Sequence, residues 1–98
     1  MRLKNYRADL LKRLEDPGYA AEYLEQVLAE KDSAAFLIAL KDVVEAGGGM
    51  GNLAGRVGLT RPSLYKILSK RGNPTLATLQ EILKPLGLRV SVTLDKAA

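Results

Sequence analysis

The chain has 98 residues, 47% hydrophobic and 27% charged, enough for one domain core; the absence of cysteine and histidine excludes disulfides, thiolate and imidazole metal sites and the common nucleophile–base pairs. Its net charge of +4 is unevenly placed: residues 1–46 hold seven Lys/Arg and nine Asp/Glu, and residues 47–98 hold eight and two, so the footprint expected of phosphate contact lies in the C-terminal half. The longest apolar run, Ala34 to Leu40, is far short of a bilayer span and the N-terminus carries no apolar block, so a cytoplasmic protein with no membrane segment, cofactor or metal is expected.

Residues 1–15 place Leu3, Tyr6, Leu10, Leu11 and Leu14 at loosely helical spacing among mixed charges, a pattern read as an arm with at most a short helix. Asp16-Pro17 is a helix start, with a capping carboxylate before a proline whose missing N–H costs nothing at the first helical position. Tyr19, Ala20, Tyr23, Leu24, Val27 and Leu28 then form one apolar stripe that ends near Glu30. Asp32 or Ser33 caps a second helix, in which Phe36, Leu37, Leu40, Val43 and Val44 are flanked by Ala34, Ala35, Ile38 and Ala39. So broad an apolar surface predicts a central, mostly buried helix. Gly47-Gly48-Gly49 stops it. No strand precedes the glycines from Gly47 to Gly51 and no Gly-Lys-Ser/Thr follows, which favours a linker over a phosphate cradle.

Leu53, Ala54 and Val57 open a short helix that Gly58 ends, and Thr60 caps another running from Arg61 to about Ser69. Gly72, Asn73 and Pro74 break the chain. Thr75 caps a last helix carrying Leu76, Leu79, Ile82, Leu83 and Leu86, which should fray near Lys84 because Pro85 cannot donate. Beyond it Leu88, Val90, Val92 and Leu94 alternate with polar residues, the period of a strand with one buried face. The expected fold is all-α, with five helices and a single C-terminal β-strand: an arm and helix over 1–31, a core over 32–87, and a strand with its tail over 88–98. A lone strand leaves half its backbone groups unpaired. Pairing of Leu88, Val90, Val92 and Leu94 with their copies across a two-fold axis would satisfy them and make a homodimer.

The segment from Met50 to Ser69 has the spacing of a helix-turn-helix. Ala54 is small where the two helices would touch, and Gly58, four residues later, can adopt the positive φ of the turn. At about 100° per residue, Leu64, Ile67 and Leu68 face inward, leaving Pro62, Tyr65, Lys66 and Ser69 outward. From Arg56 to Arg71 there are five basic residues and no acidic one, unlike the mixed-sign face of an ordinary surface helix. The candidate DNA contacts are Arg61 and Lys66 on base edges or phosphates, with Thr60, Ser63 and Tyr65 adding hydrogen bonds. Lys70, Arg71 and Asn73 follow where a DNA backbone would pass. A plain helical bundle with a basic corner has the same spacing, and that alternative stays open.

The run Gly48-Gly49-Met50-Gly51-Asn52-Leu53-Ala54-Gly55-Arg56-Val57-Gly58-Leu59-Thr60-Arg61-Pro62-Ser63-Leu64-Tyr65-Lys66-Ile67-Leu68-Ser69, with Gly72-Asn73-Pro74-Thr75 and Leu86-Gly87-Leu88-Arg89-Val90, resembles the addiction-module antidote proteins. These are antitoxins with a Cro/repressor-type (XRE-like) helix-turn-helix in a lambda-repressor-like fold. The likeness spans about residues 6–94 and is most specific from Leu59 to Thr75. It implies an antitoxin of a type II toxin–antitoxin module, which neutralises a RelE-like toxin ribonuclease from the neighbouring gene and binds double-stranded operator DNA as an autorepressor. By position, Thr60, Arg61, Ser63, Tyr65 and Lys66 fall on the recognition helix, and Asn52 falls where the family usually has a phosphate-contacting glutamine. Gly51 in place of a threonine cap, Gly55, Pro62 and Pro85 depart from the pattern.

Such toxins are typically basic, which makes Glu15, Asp16, Glu22, Glu25 and Glu30 a candidate toxin contact; an ordinary solvated helix face would look the same. The other readings are a stand-alone helix-turn-helix repressor without a toxin partner and a protein-interaction bundle that never touches DNA. An enzyme ranks last, because Tyr65, Lys66 and the scattered carboxylates form no acid–base set.

Overall fold

Among the described residues, four of the six α-helices begin where a side-chain oxygen accepts from an otherwise unpaired backbone N–H. The computed structural model describes residues 3–97. Asp16 opens α2 (Pro17–Ala29) by accepting from Gly18 N at 3.3 Å, and Asp32 opens α3 (Ser33–Ala46) by accepting from Ala35 N at 3.1 Å. Thr60 opens α5 (Arg61–Ile67) through Ser63 N at 3.2 Å, and Thr75 opens α6 (Leu76–Leu83) through Thr78 N at 3.1 Å. Each such cap stabilises its helix by roughly 0.5–2 kcal/mol. The remaining helices are α1 (Leu3–Leu14) and α4 (Met50–Val57). As Pro85 dictates, α6 stops at Leu83 and continues as one 3-10 turn, Lys84–Leu86, before Gly87.

The architecture is all-α, but the expected five helices with a C-terminal strand are corrected in two places. The N-terminal stretch is a 12-residue helix because it has something to pack on. Leu14 is buried, Leu10 lies against the core, and Arg7 reaches α3 to donate to Asp42 at 3.1 Å and Glu45 at 2.6 Å. Those partners are 35 and 38 residues away, out of range of any local pattern.

The second correction concerns Leu88 to Leu94: among the described residues there is no strand. Alternation specifies which face a strand would bury, whereas a strand exists only where a second extended segment supplies a hydrogen-bonded ladder, and among the described residues no second strand is present. Gly87, at φ 76° and ψ 20°, instead turns the backbone so that Leu88 N donates to Leu83 O at 3.1 Å. Leu88 is half-buried against the core, while Val92 and Leu94 are 95% and 87% exposed.

One core unites the elements. Leu40 of α3, Leu64 of α5 and Ile82 of α6 are fully buried, with Leu68 and Val44 nearly so, and burying a side chain of that size contributes about 1.5–3 kcal/mol. α3 is central, packing on α1, α2 and α4, and α4 in turn packs on α5 and α6. Among the described residues no buried position is polar or charged, and no helix is long and apolar enough to cross a membrane.

Candidate nucleic-acid interface

α4 and α5 form a corner whose shape follows from two glycines. Gly58, at φ 69° and ψ 27°, takes a left-handed conformation costly for residues with a Cβ, and Leu59 N closes the turn on Ala54 O at 3.0 Å. After α5 the chain folds back so tightly that a Cβ at Gly72 would collide with the Ile67 carbonyl oxygen. Buried Leu53 and Ala54 of α4 and Leu64 of α5 clamp the corner to the core. α4 begins at Met50, three residues before the first apolar residue assigned to it from sequence; its cap is Gly49, which offers no side chain. The N–H groups of its first turn therefore lack a side-chain acceptor.

The expected contact residues of this corner and its following loop are all exposed. Arg61, Ser63, Tyr65 and Lys66 are exposed on α5, Thr60 at its cap, Asn52 on the first turn of α4, and Lys70, Arg71 and Asn73 on the following loop. Two of them are already occupied: the Thr60 hydroxyl donates to Ser63 Oγ at 2.8 Å while accepting from Ser63 N. The pair stiffens the start of α5, and Ser63 retains its own hydroxyl hydrogen for an outside acceptor. The Asn52 amide turns back over Gly48, where an added Cβ would lie 2.8 Å from its Nδ2.

Arg61 runs alongside Gly51, with its Cδ and Nε 3.9 Å from the place of a Cβ there, and its guanidinium carbon stands 5.8 Å from the centre of the Tyr65 ring. A second cation shares that ring: Lys41 Nζ, from α3, is 5.0 Å from the same centre. Sequence reasoning missed Lys41 because it lies outside the basic run; the available signal was a charge within a largely apolar helix.

Among the described residues the only salt bridges join Arg7 to Asp42 and Glu45, on the α1 side of α3, so none of the cations at the α4–α5 corner is neutralised by a carboxylate. Nor does any cluster of three or more potential metal ligands occur among those residues. What the corner offers chemically is an exposed set of guanidinium, ammonium, hydroxyl and amide donors without salt-bridge partners, suited to anionic oxygens.

Of the acidic residues expected at a toxin contact, Glu15 and Asp16 are exposed between α1 and α2, Glu22 and Glu25 are exposed on α2, and Glu30 is at its C-terminal end. Of the four residues expected at a dimer contact, Leu88 is engaged by its own core, whereas Val90, Val92 and Leu94 are exposed.

Comparison with known proteins adds the family. An uncharacterized protein of Haemophilus influenzae is 38% identical to the chain over 76 residues, which cover 78% of this chain and 77% of the relative. No solved structure matches. A family described as "Probable addiction module antidote protein" matches residues 4–94. That span takes in all six helices but for the first residue of α1, together with the cationic corner, and the chain belongs to the addiction module antidote family.

Proposed function

We propose that this protein is the cytoplasmic antitoxin of a type II toxin–antitoxin module, neutralising a RelE-like toxin and repressing its own operon. In this reading α4 and α5 are an XRE-like helix-turn-helix, and α5 enters the major groove of double-stranded operator DNA by its N-terminal end. Arg61 and Lys66 reach base edges or phosphates, Ser63 and Tyr65 add hydrogen bonds, and Asn52, Thr60, Lys70, Arg71 and Asn73 follow the backbone.

The observation that carries the reading is the exposed corner from Arg56 to Arg71, with five basic residues, no acidic one and no carboxylate partner. Family membership supports the other half, since an antidote requires a toxin. The exposed carboxylates of Glu15, Asp16, Glu22, Glu25 and Glu30, well separated in sequence from the cationic corner, suit a basic toxin and leave the DNA face free. Two copies joined through exposed Val90, Val92 and Leu94 would present two α5 helices to successive half-sites of a palindrome.

A gel shift of the protein on the DNA upstream of its own gene, against random DNA and with or without the neighbouring gene product, tests the reading. Retarded upstream DNA at protein concentrations that leave random DNA free is the expected result. No complex with either DNA would sink the repressor half, and no complex with the neighbouring product would sink the antitoxin half.

A further inference from the structure

Lys41 belongs to α3, the central helix of the core, and to no DNA-binding motif in the sequence. Packing nevertheless brings its ammonium to the edge of the cationic corner, 5.0 Å from the centre of the Tyr65 ring. Its neighbour in sequence, Asp42, accepts from Arg7 of α1 at 3.1 Å, so Lys41 has the ring as its partner and, among the described residues, no carboxylate. Arg61 stands 5.8 Å from the same ring centre. Two cations held on one aromatic side chain repel each other. The ring quadrupole offsets part of that repulsion, and an anion bound beside either cation would offset more of it.

We propose that Lys41 is a further phosphodiester-binding residue of the DNA face, held in place for that contact by Tyr65. The inference rests on the DNA reading above and extends the interface from the α4–α5 corner onto α3. Tyr65 is the positioning residue: its ring fixes a long side chain that would otherwise sample many rotamers. Such a contact neutralises one phosphate whatever the bases, so its signature is a salt dependence common to all sequences.

The test uses the full chain and a short random-sequence duplex, with affinity measured between about 50 and 200 mM salt, the range over which counterion release is pronounced. Lys41→Gln should reduce the slope of log K against log salt by about 0.9, so that the advantage of the unmodified protein over the variant shrinks about 3- to 4-fold across that range. Lys41→Arg should restore the slope. In a Tyr65→Phe background, which keeps the ring, Lys41→Gln should still produce its full change; in a Tyr65→Leu background it should produce little. A slope unaltered by Lys41→Gln in a protein that binds the duplex overturns the Lys41 contact. An equal Lys41→Gln change in the Phe and Leu backgrounds overturns the role of Tyr65. Failure of the unmodified protein to bind any duplex would instead overturn the DNA reading itself, and the two failures are thereby told apart.

Discussion

Arg7 and Asp42 meet at 3.1 Å although 35 residues separate them, and this tie fastens the first helix to the third. A second donation from Arg7 goes to Glu45 at 2.6 Å, and the hydrogen bonds to Glu45 and then Asp42 raise the guanidinium pKa above its ordinary value. The pair is half in solvent on the Arg7 side, where ion pairs contribute modestly. Arg7→Ala should therefore lower unfolding free energy by only about 0.5–1 kcal/mol. Its clearer effect should be faster amide exchange in α1 than elsewhere. Urea titration and exchange together check this; uniform exchange across all helices would contradict it.

Asp42 also faces Tyr23, whose phenol is pushed above its ordinary pKa of 10.0 by partial burial first and by the Asp42 charge second. A folded-state pKa raised above the unfolded one means that the folded chain holds the proton more tightly, so the associated stability is complete below about pH 10 and is lost as pH rises toward the folded value. Tyr23→Phe removes the titrating group. The difference in stability between wild type and Tyr23→Phe should be constant below that pH and shift in favour of the variant above it. Urea midpoints collected from neutral to strongly alkaline pH would show the divergence, and parallel curves throughout would refute it.

Gly55 lies in the middle of α4 with ordinary helical φ and nothing within 4 Å of where a Cβ would be. Glycine inside a helix costs roughly 0.5–1 kcal/mol relative to alanine. Gly55→Ala should raise stability by about that amount, with a higher melting temperature. A loss of stability would mean that the exposed side of α4 is more constrained than its geometry indicates.

The four capped helix starts were legible in the sequence because a cap and the N–H that donates to it lie within three residues, as Asp32 and Ala35 or Thr60 and Ser63 do. So was the break at Pro85, which acts on its own helix. The features that escaped depend on distant contacts. α1 is secured by α3, the expected strand at Leu88 to Leu94 needed a ladder that no segment among the described residues provides, and Lys41 joins the cationic corner only through packing. The basic stretch from Arg56 to Arg71 was visible because its five charges fall within 16 successive residues with no acidic residue among them. A cation delivered from another helix leaves no mark in any local window.

Leu64 is fully buried on the inward side of α5, so it decides whether the cationic side is presented at all. Leu64→Ala removes the anchor and leaves a cavity, at a cost of about 2–5 kcal/mol, a large part of the stability of a domain this size. The variant should melt at much lower temperature and lose DNA affinity in proportion to its unfolded fraction. Normal melting with lost affinity would place Leu64 in the interface and not beneath it.

Arg61 and Lys70 separate sequence reading from phosphate contact. Arg61 sits at the N-terminal end of α5, held between Gly51 and Tyr65, which suits a guanidinium delivered at fixed orientation to a base edge. Lys70 lies beyond the end of α5 on an exposed loop, where an ammonium can follow a phosphate and has no such fixed aim. Arg61→Ala should weaken binding to the upstream DNA by about 1–3 kcal/mol and binding to random DNA by much less, relaxing the preference between them. Lys70→Ala should weaken both alike and lower the salt slope by about 0.9. Competition gel shifts at fixed salt measure the two ratios. Equal losses on both DNAs for Arg61→Ala would remove it from base reading and leave α5 as a phosphate-binding element alone.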